Sequence, residues 1–214
     1  MAAGLAEAAA RLERVFAAYP RRPVLDGCPH CRGPQVVDEG NLHSLTIRLG
    51  NTVGDRHDVK SLLPLLFGRA STADCLDAGA LLSKLPDNEW RTWPVEEQRA
   101  VEEYLDAVWQ ALLAEYPART GAFTDSTAFL AAAADARMDV SGYLTRWDST
   151  HGQAADRHLA ELVGAFTFVR RKSTAVQDWL LREATRERLL IAFDRDSAEP
   201  WGEDLAWAYD LLPR

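Results

Sequence analysis

The sequence predicts an all-α protein, an irregular bundle or layered array of about eight to ten helices. Past residue 57 the apolar residues recur at helical spacing, and no two alternating polar and apolar runs are joined by a hairpin turn. No repeat of about 30–45 residues, the period typical of solenoids, is present. The 214 residues are 47% hydrophobic and 26% charged, which is ordinary for a globular protein.

The first predicted helix ends at Pro20, after a stripe of apolar side chains three and four residues apart. That stripe comprises Leu5, Ala8, Ala9, Leu12, Val15, Phe16 and Tyr19. Residues 20–56 differ, because nine of them are proline or glycine, too many for long helices. Within this segment only His43 to Leu49 is predicted to form a short regular piece.

Two helices follow the loop segment. Asp55 is a good N-cap for a helix through Phe67, since its side chain can accept from the first unpaired backbone N–H groups. Ser71 or Thr72 is predicted to cap the next helix, which extends to about Lys84.

The most regular stripe predicts a helix over residues 94–116, with Pro94 in its first turn, where a missing N–H costs little. The centre line of the stripe holds Leu105, Val108, Trp109 and Leu112, which we expect to be buried.

Pro117 to Gly121 is the best internal boundary. It predicts an N-terminal lobe over 1–116 and a C-terminal lobe over 122–214, the alternative being one single domain. In the second half Thr174 and Gln177 suggest a capping box, and Thr185 marks a kink or split. The helices predicted there cover 125–135, 139–147, 153–169, 174–194 and 201–212.

One motif carries metal or redox chemistry. Cys28 and Cys31 enclose Pro29 and His30, and Gly33 follows, which resembles half of a zinc ribbon. A structural zinc site needs four ligands. The predicted zinc site therefore consists of Cys28, Cys31, His57 and Cys75, with His30 and His43 as further candidates.

Two alternatives for the cysteine pair stay open. A Cys-Pro-His-Cys sequence also resembles the active site of thioredoxin-like oxidoreductases, but Gly33-Pro34 stops the helix that would lower the thiol pKa. The other alternative is a pair of inert thiols packed in a turn.

Further candidate positions lie at the start of the helix after the loop and before the longest helix. Asp55, His57, Asp58 and Lys60 form a titratable group that is interpreted either as capping with a solvated first turn or as acid–base residues. Trp90 and Trp93 are interpreted as core anchors or as an exposed interaction surface.

The chain also resembles a family of uncharacterised bacterial helical proteins over residues 16–115. The resemblance is carried by the segments Leu25 to Cys31, Thr52 to Asp55, Asp58 to Lys60, Leu63-Pro64, Lys84 to Pro86, Trp90, Trp93-Pro94 and Glu97-Gln98. Members can have Cys in place of His30 and typically have Trp in place of Val53. The resemblance implies no activity, but it implies that the Cys28 loop and the turn before Asp55 form one structural unit.

Charge and composition exclude several classes. The net charge of −8 disfavours nucleic-acid binding. No apolar stretch approaches the 18 or more residues of a membrane span. Charged residues interrupt the N-terminal stretch, which excludes a secretory signal, and three cysteines do not suggest a disulfide framework. We therefore expect a cytoplasmic protein, and the excess of arginine over lysine suggests a bacterial source.

Three hypotheses for the function follow. The leading one is a non-enzymatic helical interaction or scaffold protein with a protein partner or self-association. The second is a small zinc-binding structural or regulatory protein that uses Cys28 and Cys31. The third is an enzyme with a site between the Cys28 loop and the turn from Asp55 to Lys60.

Overall fold

The computed structural model describes residues 3–28, 30, 33–73, 76–165 and 173–213. Of these, 68% are helical, and the described part of the chain contains eleven α-helices and one two-stranded sheet. The predicted all-α fold class is confirmed.

The chain forms two compact units. Unit 1 comprises Met1–Val108 with Thr120–Phe123, and unit 2 comprises Trp109–Arg119 with Thr124–Arg214. The lobes predicted from the sequence, 1–116 and 122–214, remain a prediction, because compactness alone does not test whether a segment folds independently.

Unit 1 is built on helices α1 and α3, which pack against each other, and on α4, which packs against α2 and α3. Its elements are α1 (Ala3–Phe16), α2 (Leu42–Arg48), α3 (Arg56–Ala70) and α4 (Ala78–Asp87), with short 3₁₀ helices at Glu39–Asn41 and Trp90–Thr92. The first part of α5 (Val95–Ala114) also belongs to it.

The Pro/Gly-rich segment holds a small antiparallel ribbon that the sequence did not predict. Strand β1 (Val24–Leu25) pairs with β2 (Gln35–Val36). Two residues per strand are too few to produce a visible alternation of polar and apolar side chains.

The predicted cap of the fourth helix is wrong. The hydroxyl groups of Ser71 and Thr72 each donate to the carbonyl oxygen of Gly68, at 3.0 Å in both cases, so they end α3. The next helix begins only at Ala78, where the side chain of Asp77 accepts from the N–H of Ala80 at 2.6 Å.

The longest helix is confirmed. Helix α5 covers Val95–Ala114, and Leu105, Val108, Trp109 and Leu112 are all fully buried. Pro94 comes directly before Val95, the first residue of α5. Proline is favourable at the start of a helix because its φ is fixed near the helical value and its missing N–H has no partner to lose there.

Unit 2 packs α8 against α6, α10 and α11, and α7 against α6 and α9. Its helices are α6 (Ser126–Asp135), α7 (Val140–Ser149), α8 (Gln153–Gly164), α9 (Thr174–Leu180), α10 (Glu183–Asp196) and α11 (Gly202–Leu211). The predicted end of α8 near residue 169 lies outside the described residues. The helix predicted over 174–194 is two helices separated at Leu181 and Arg182, with Ser173 rather than Thr174 as the N-cap.

Aromatic side chains fill the core of unit 2. Trp109 stacks on Phe129 with ring centroids 4.9 Å apart and meets Trp147 edge-on at 5.2 Å. Its indole N–H donates to the carbonyl oxygen of Tyr143 at 3.0 Å, and Trp147 stacks on Trp179. These contacts combine a large buried apolar area with a satisfied polar group.

Candidate functional site

The structure describes two of the four predicted zinc ligands. Cys28 is half-buried in the loop, and His57 lies in the first turn of α3 with its ring edge-on to Tyr19 at 5.3 Å. Cys31 and Cys75 lie outside the described residues. Within the described ranges no group of three or more histidine, cysteine or acidic side chains is arranged to hold a metal ion. The zinc site therefore remains a prediction.

The Cys28 loop and the turn before Asp55 are joined, as the resemblance to the bacterial family implies. The N–H of Cys28 donates to the carbonyl oxygen of Thr52 at 2.8 Å, and the N–H of Gly54 donates to that of Asp26 at 2.7 Å. Gly54 has φ +67°, and a Cβ there would lie 2.8 Å from the carboxylate of Asp58. Only glycine fits this close approach without strain.

Asp58 is a buried carboxylate with a structural task. It forms a capping box with Asp55 and accepts two hydrogen bonds from Arg22, one of them from Nε at 2.9 Å. Burial opposes its ionisation, but the guanidinium of Arg22 and the N–H of Asp55 outweigh burial and hold the pKa of Asp58 below its usual value. Capping is thus correct for Asp55 and Asp58.

Lys60 is buried as well, which makes the interpretation as a solvated turn wrong for this residue. Its Nζ lies 2.7 Å from a carboxylate oxygen of Glu97, donates to the hydroxyl of Tyr19 at 3.1 Å, and lies 4.8 Å from the ring centroids of Tyr19 and Trp93. The hydroxyl of Tyr19 in turn donates to Glu97 at 2.6 Å. We call these four residues the Lys60 cluster. Lys60, Glu97 and Tyr19 pair with one another, so the cluster joins the turn after α1 to α3 and α5 within unit 1.

A cavity in unit 2 is the more promising site. Its volume is about 220 Å³, and we call it the Arg157 pocket. It is lined by Tyr116, Arg157, Glu161, Trp201, Asp204 and Trp207, together with Ala160 and Leu205. Clefts lined by aromatic rings and a few polar groups are typical of ligand sites.

The guanidinium of Arg157 contacts two aromatic rings. Its guanidinium carbon lies 4.1 Å from the ring centroid of Tyr116 and 4.5 Å from that of Trp201. Within the described part of the chain the guanidinium forms no ion pair or hydrogen bond with another side chain. A stacked guanidinium keeps its N–H groups at the edge of its plane, so these donors remain available.

The pocket also carries negative charge, from Glu161 and Asp204. The pKa of Tyr116 is raised, first by burial and then by the carboxylates of Glu161 and Asp204, while Arg157 opposes the rise. Both signs of charge therefore act on the same phenol at the wall of the pocket.

His158 lies behind this wall and is almost completely buried. Its Nε2 is 3.0 Å from the carbonyl oxygen of Glu115, which accepts only, so Nε2 carries the proton in this contact. Among the described residues Nδ1 has no hydrogen-bond partner, and it lies 3.8 Å from the carboxylate of Glu161. The ring also meets Tyr116 edge-on at 4.8 Å, so His158 supports two of the lining residues.

The pocket is formed by residues of α8, of α11 and of the segment that follows α5, where Tyr116 lies. Arg157 and Glu161 are four residues apart on α8 and thus share one face of it, while Asp204 and Trp207 come from α11. Trp201, just before α11, donates its indole N–H to Asp196 at 3.4 Å.

Sequence reasoning did not single out this site. Tyr116 is the last residue of the helix predicted over 94–116, and the spacing of Arg157 and Glu161 on α8 is the one local signal of the site. Helix α8 packs against α11, and the spacing of residues along the sequence does not predict this contact.

Comparison with protein-family models, curated proteins and solved structures finds no match to this chain. The resemblance over residues 16–115 therefore remains a prediction. Among the described helices, none combines the length and the apolar character that crossing a membrane requires.

Proposed function

We propose that this protein binds a small organic ligand in the Arg157 pocket. The observation that carries the proposal is the environment of Arg157, whose guanidinium lies against the rings of Tyr116 and Trp201 while its donors are unused by the described residues. Such a guanidinium is held in one orientation before any ligand arrives, which reduces the entropy lost on binding.

The surroundings of Arg157 support a ligand site rather than an isolated surface contact. The guanidinium lines a cavity of about 220 Å³, and the indole of Trp207 on the wall is 55% exposed. An aromatic side chain that is exposed on a concave wall offers apolar area at little cost in side-chain entropy. The cavity is smaller than those that hold drug-sized molecules, so the ligand is small.

The contacts of the described residues bear differently on the three hypotheses from the sequence. The site proposed for an enzyme included Asp58 and Lys60, and both are engaged in internal contacts that give them structural roles. Zinc binding by Cys28 and Cys31 remains a prediction. An interaction role is supported by exposed Ile191 on α10, yet ligand binding has the better-defined geometry.

The test is a titration of protein labelled with ¹⁵N in the tryptophan side chains, followed by two-dimensional NMR of the indole N–H groups. The probes are the twenty common amino acids, simple amines, short carboxylates and inorganic phosphate. A ligand of the pocket should shift the indole signals of Trp201 and Trp207 and leave that of Trp90, in unit 1, unchanged.

A matched pair of variants identifies the site. Arg157→Gln should abolish the shifts, whereas Arg186→Gln should preserve them, because Arg186 stacks on Tyr209 at 4.3 Å outside the pocket. The proposal is refuted if no probe shifts Trp201 or Trp207 at about 10 mM, a concentration that detects binding of about 4 kcal/mol or stronger.

A further inference from the structure

We infer that the ligand of the Arg157 pocket is a zwitterion of the amino-acid type, whose carboxylate pairs with Arg157 and whose ammonium pairs with Glu161 and Asp204. This inference rests on the proposed function and names the chemical class that the same pocket accepts. It follows from the placement of three charged groups around one cavity.

Arg157 supplies the carboxylate position. The rings of Tyr116 and Trp201 both lie against the guanidinium, and its N–H groups offer the geometry that a carboxylate accepts with two oxygens. Arg157 therefore favours a planar oxyanion as its partner.

Glu161 and Asp204 supply the ammonium position. Neither carboxylate forms an ion pair with a lysine or arginine of the described residues. Asp204 lies in the first turn of α11, and the carboxylate of Glu161 lies 3.8 Å from the Nδ1 of buried His158. Two carboxylates on one cavity favour a cation there.

The separation of Arg157 from Glu161 is the second supporting observation. Side chains of opposite charge four residues apart on a helix are neighbours that commonly pair. Here they do not, and the guanidinium lies against the rings of Tyr116 and Trp201 instead. The pocket thus keeps one positive and two negative groups apart on its wall, and a ligand with both charges can contact both kinds.

Ligands with a single charge fit this arrangement less well. A simple anion at Arg157 also meets the fields of Glu161 and Asp204, and a simple amine at the carboxylates also meets the field of Arg157. An apolar side chain of the ligand has a surface to pack on, since the indole of Trp207 is 55% exposed. An amino acid satisfies all of these groups together.

Calorimetric titration of the intact protein with two matched triplets of probes tests the inference. The first triplet is L-phenylalanine, phenethylamine, which lacks the carboxylate, and 3-phenylpropionate, which lacks the ammonium. The second is L-leucine, 3-methylbutylamine and 4-methylpentanoate. In at least one triplet the amino acid should bind about tenfold or more tightly than either analogue, since each analogue loses a charge-assisted interaction.

Variants assign each charge to its residue. Arg157→Gln should weaken the amino acid about tenfold or more and should not weaken the amine, because only the carboxylate loses its partner while the ammonium loses a like charge nearby. Glu161→Gln should weaken the amino acid and the amine but not the carboxylate analogue. Arg186→Gln serves as the control that leaves all three unchanged, and Arg157→Lys keeps the charge should the glutamine variant fail to fold.

The outcomes separate this inference from the proposed function. If an analogue with a single charge binds as tightly as its parent amino acid in both triplets, the zwitterion is refuted while the pocket remains a ligand site. The same holds if neither triplet binds although other probes shift Trp201 and Trp207. If no probe of any class shifts these indoles, both the inference and the proposed function fail.

Discussion

Glu97→Gln is expected to destabilise the protein more than any neutralisation of an exposed carboxylate. The substitution removes the negative charge that lies 2.7 Å from Nζ of Lys60. The side chain of Glu97 is 7% exposed and that of Lys60 is 9% exposed. It keeps an oxygen that can accept the hydrogen bond from the hydroxyl of Tyr19. The change therefore isolates the ion pair while the shape of the Lys60 cluster is retained.

The magnitude follows from what remains around Lys60. Removing one partner of a buried ion pair costs about 3–5 kcal/mol, because the other charge is left without compensation. The ring faces of Tyr19 and Trp93, each 4.8 Å from Nζ, still attract the ammonium, and such contacts contribute about 0.5–2 kcal/mol. We therefore expect a loss near the lower end, about 3 kcal/mol.

Urea denaturation followed by tryptophan fluorescence measures this loss as a change in the free energy of unfolding. Glu103→Gln is the matched control, because Glu103 pairs with Arg11 at the same distance of 2.7 Å but with 43% of its side chain exposed. Its loss should stay below about 1 kcal/mol.

A double variant distinguishes the pair from the two separate side chains. Lys60→Met with Glu97→Leu removes both charges and should recover about half or more of the loss of Glu97→Gln, since no buried charge is left unpaired. The reasoning is refuted if Glu97→Gln costs less than about 1 kcal/mol, or if the double variant is no more stable than the single one.

Three further predictions concern the core, acid stability and metal. Trp109→Ala should cost about 3–5 kcal/mol in unfolding experiments, whereas Trp207→Ala, at an exposed position, should cost less than about 1 kcal/mol. Hydrogen bonding from Arg195 lowers the pKa of Asp196 from 3.8 to about 2, so its carboxylate stabilises the fold above about pH 4 and loses that effect as the pH falls towards 2. Asp196→Asn should accordingly be less stable than the parent at pH 7, and a stability difference that does not shrink below pH 4 would contradict this assignment. Elemental analysis with native mass spectrometry tests the zinc hypothesis: one zinc ion per chain that Cys28→Ser with Cys31→Ser removes would support the site, and a metal-free chain in the presence of zinc would refute it.

Local patterns predicted much of the fold. The apolar stripe around Trp109 is a helical period, and burial of its centre line follows because a helix with one apolar face must pack that face away from water. Asp55 was recognised as an N-cap because capping depends on the residue itself and on the next three positions. The ribbon of β1 and β2 was missed because it is too short for a period.

The helix that Ser71 and Thr72 cap is not determined by the local sequence. A hydroxyl side chain near a helix boundary can accept from the next helix or donate to the last carbonyl groups of the preceding one. The sequence around the two residues permits both, and the structure uses the second, with Gly68 as the acceptor. Helix α4 therefore begins at Ala78, several residues later than a cap at Ser71 or Thr72 predicts.

The sequence by itself determined the helical class, the position of the longest helix and the side chains on its buried face, because periodicity and capping involve residues within a few positions of one another. Only the tertiary structure decided which charges share a site. Lys60 meets Tyr19 across 41 positions of the chain, and Arg157 meets Tyr116 and Trp201 through the packing around α8 and α11. Coulombic and stacking energies depend on distances in space, and a linear pattern of residue types does not contain those distances.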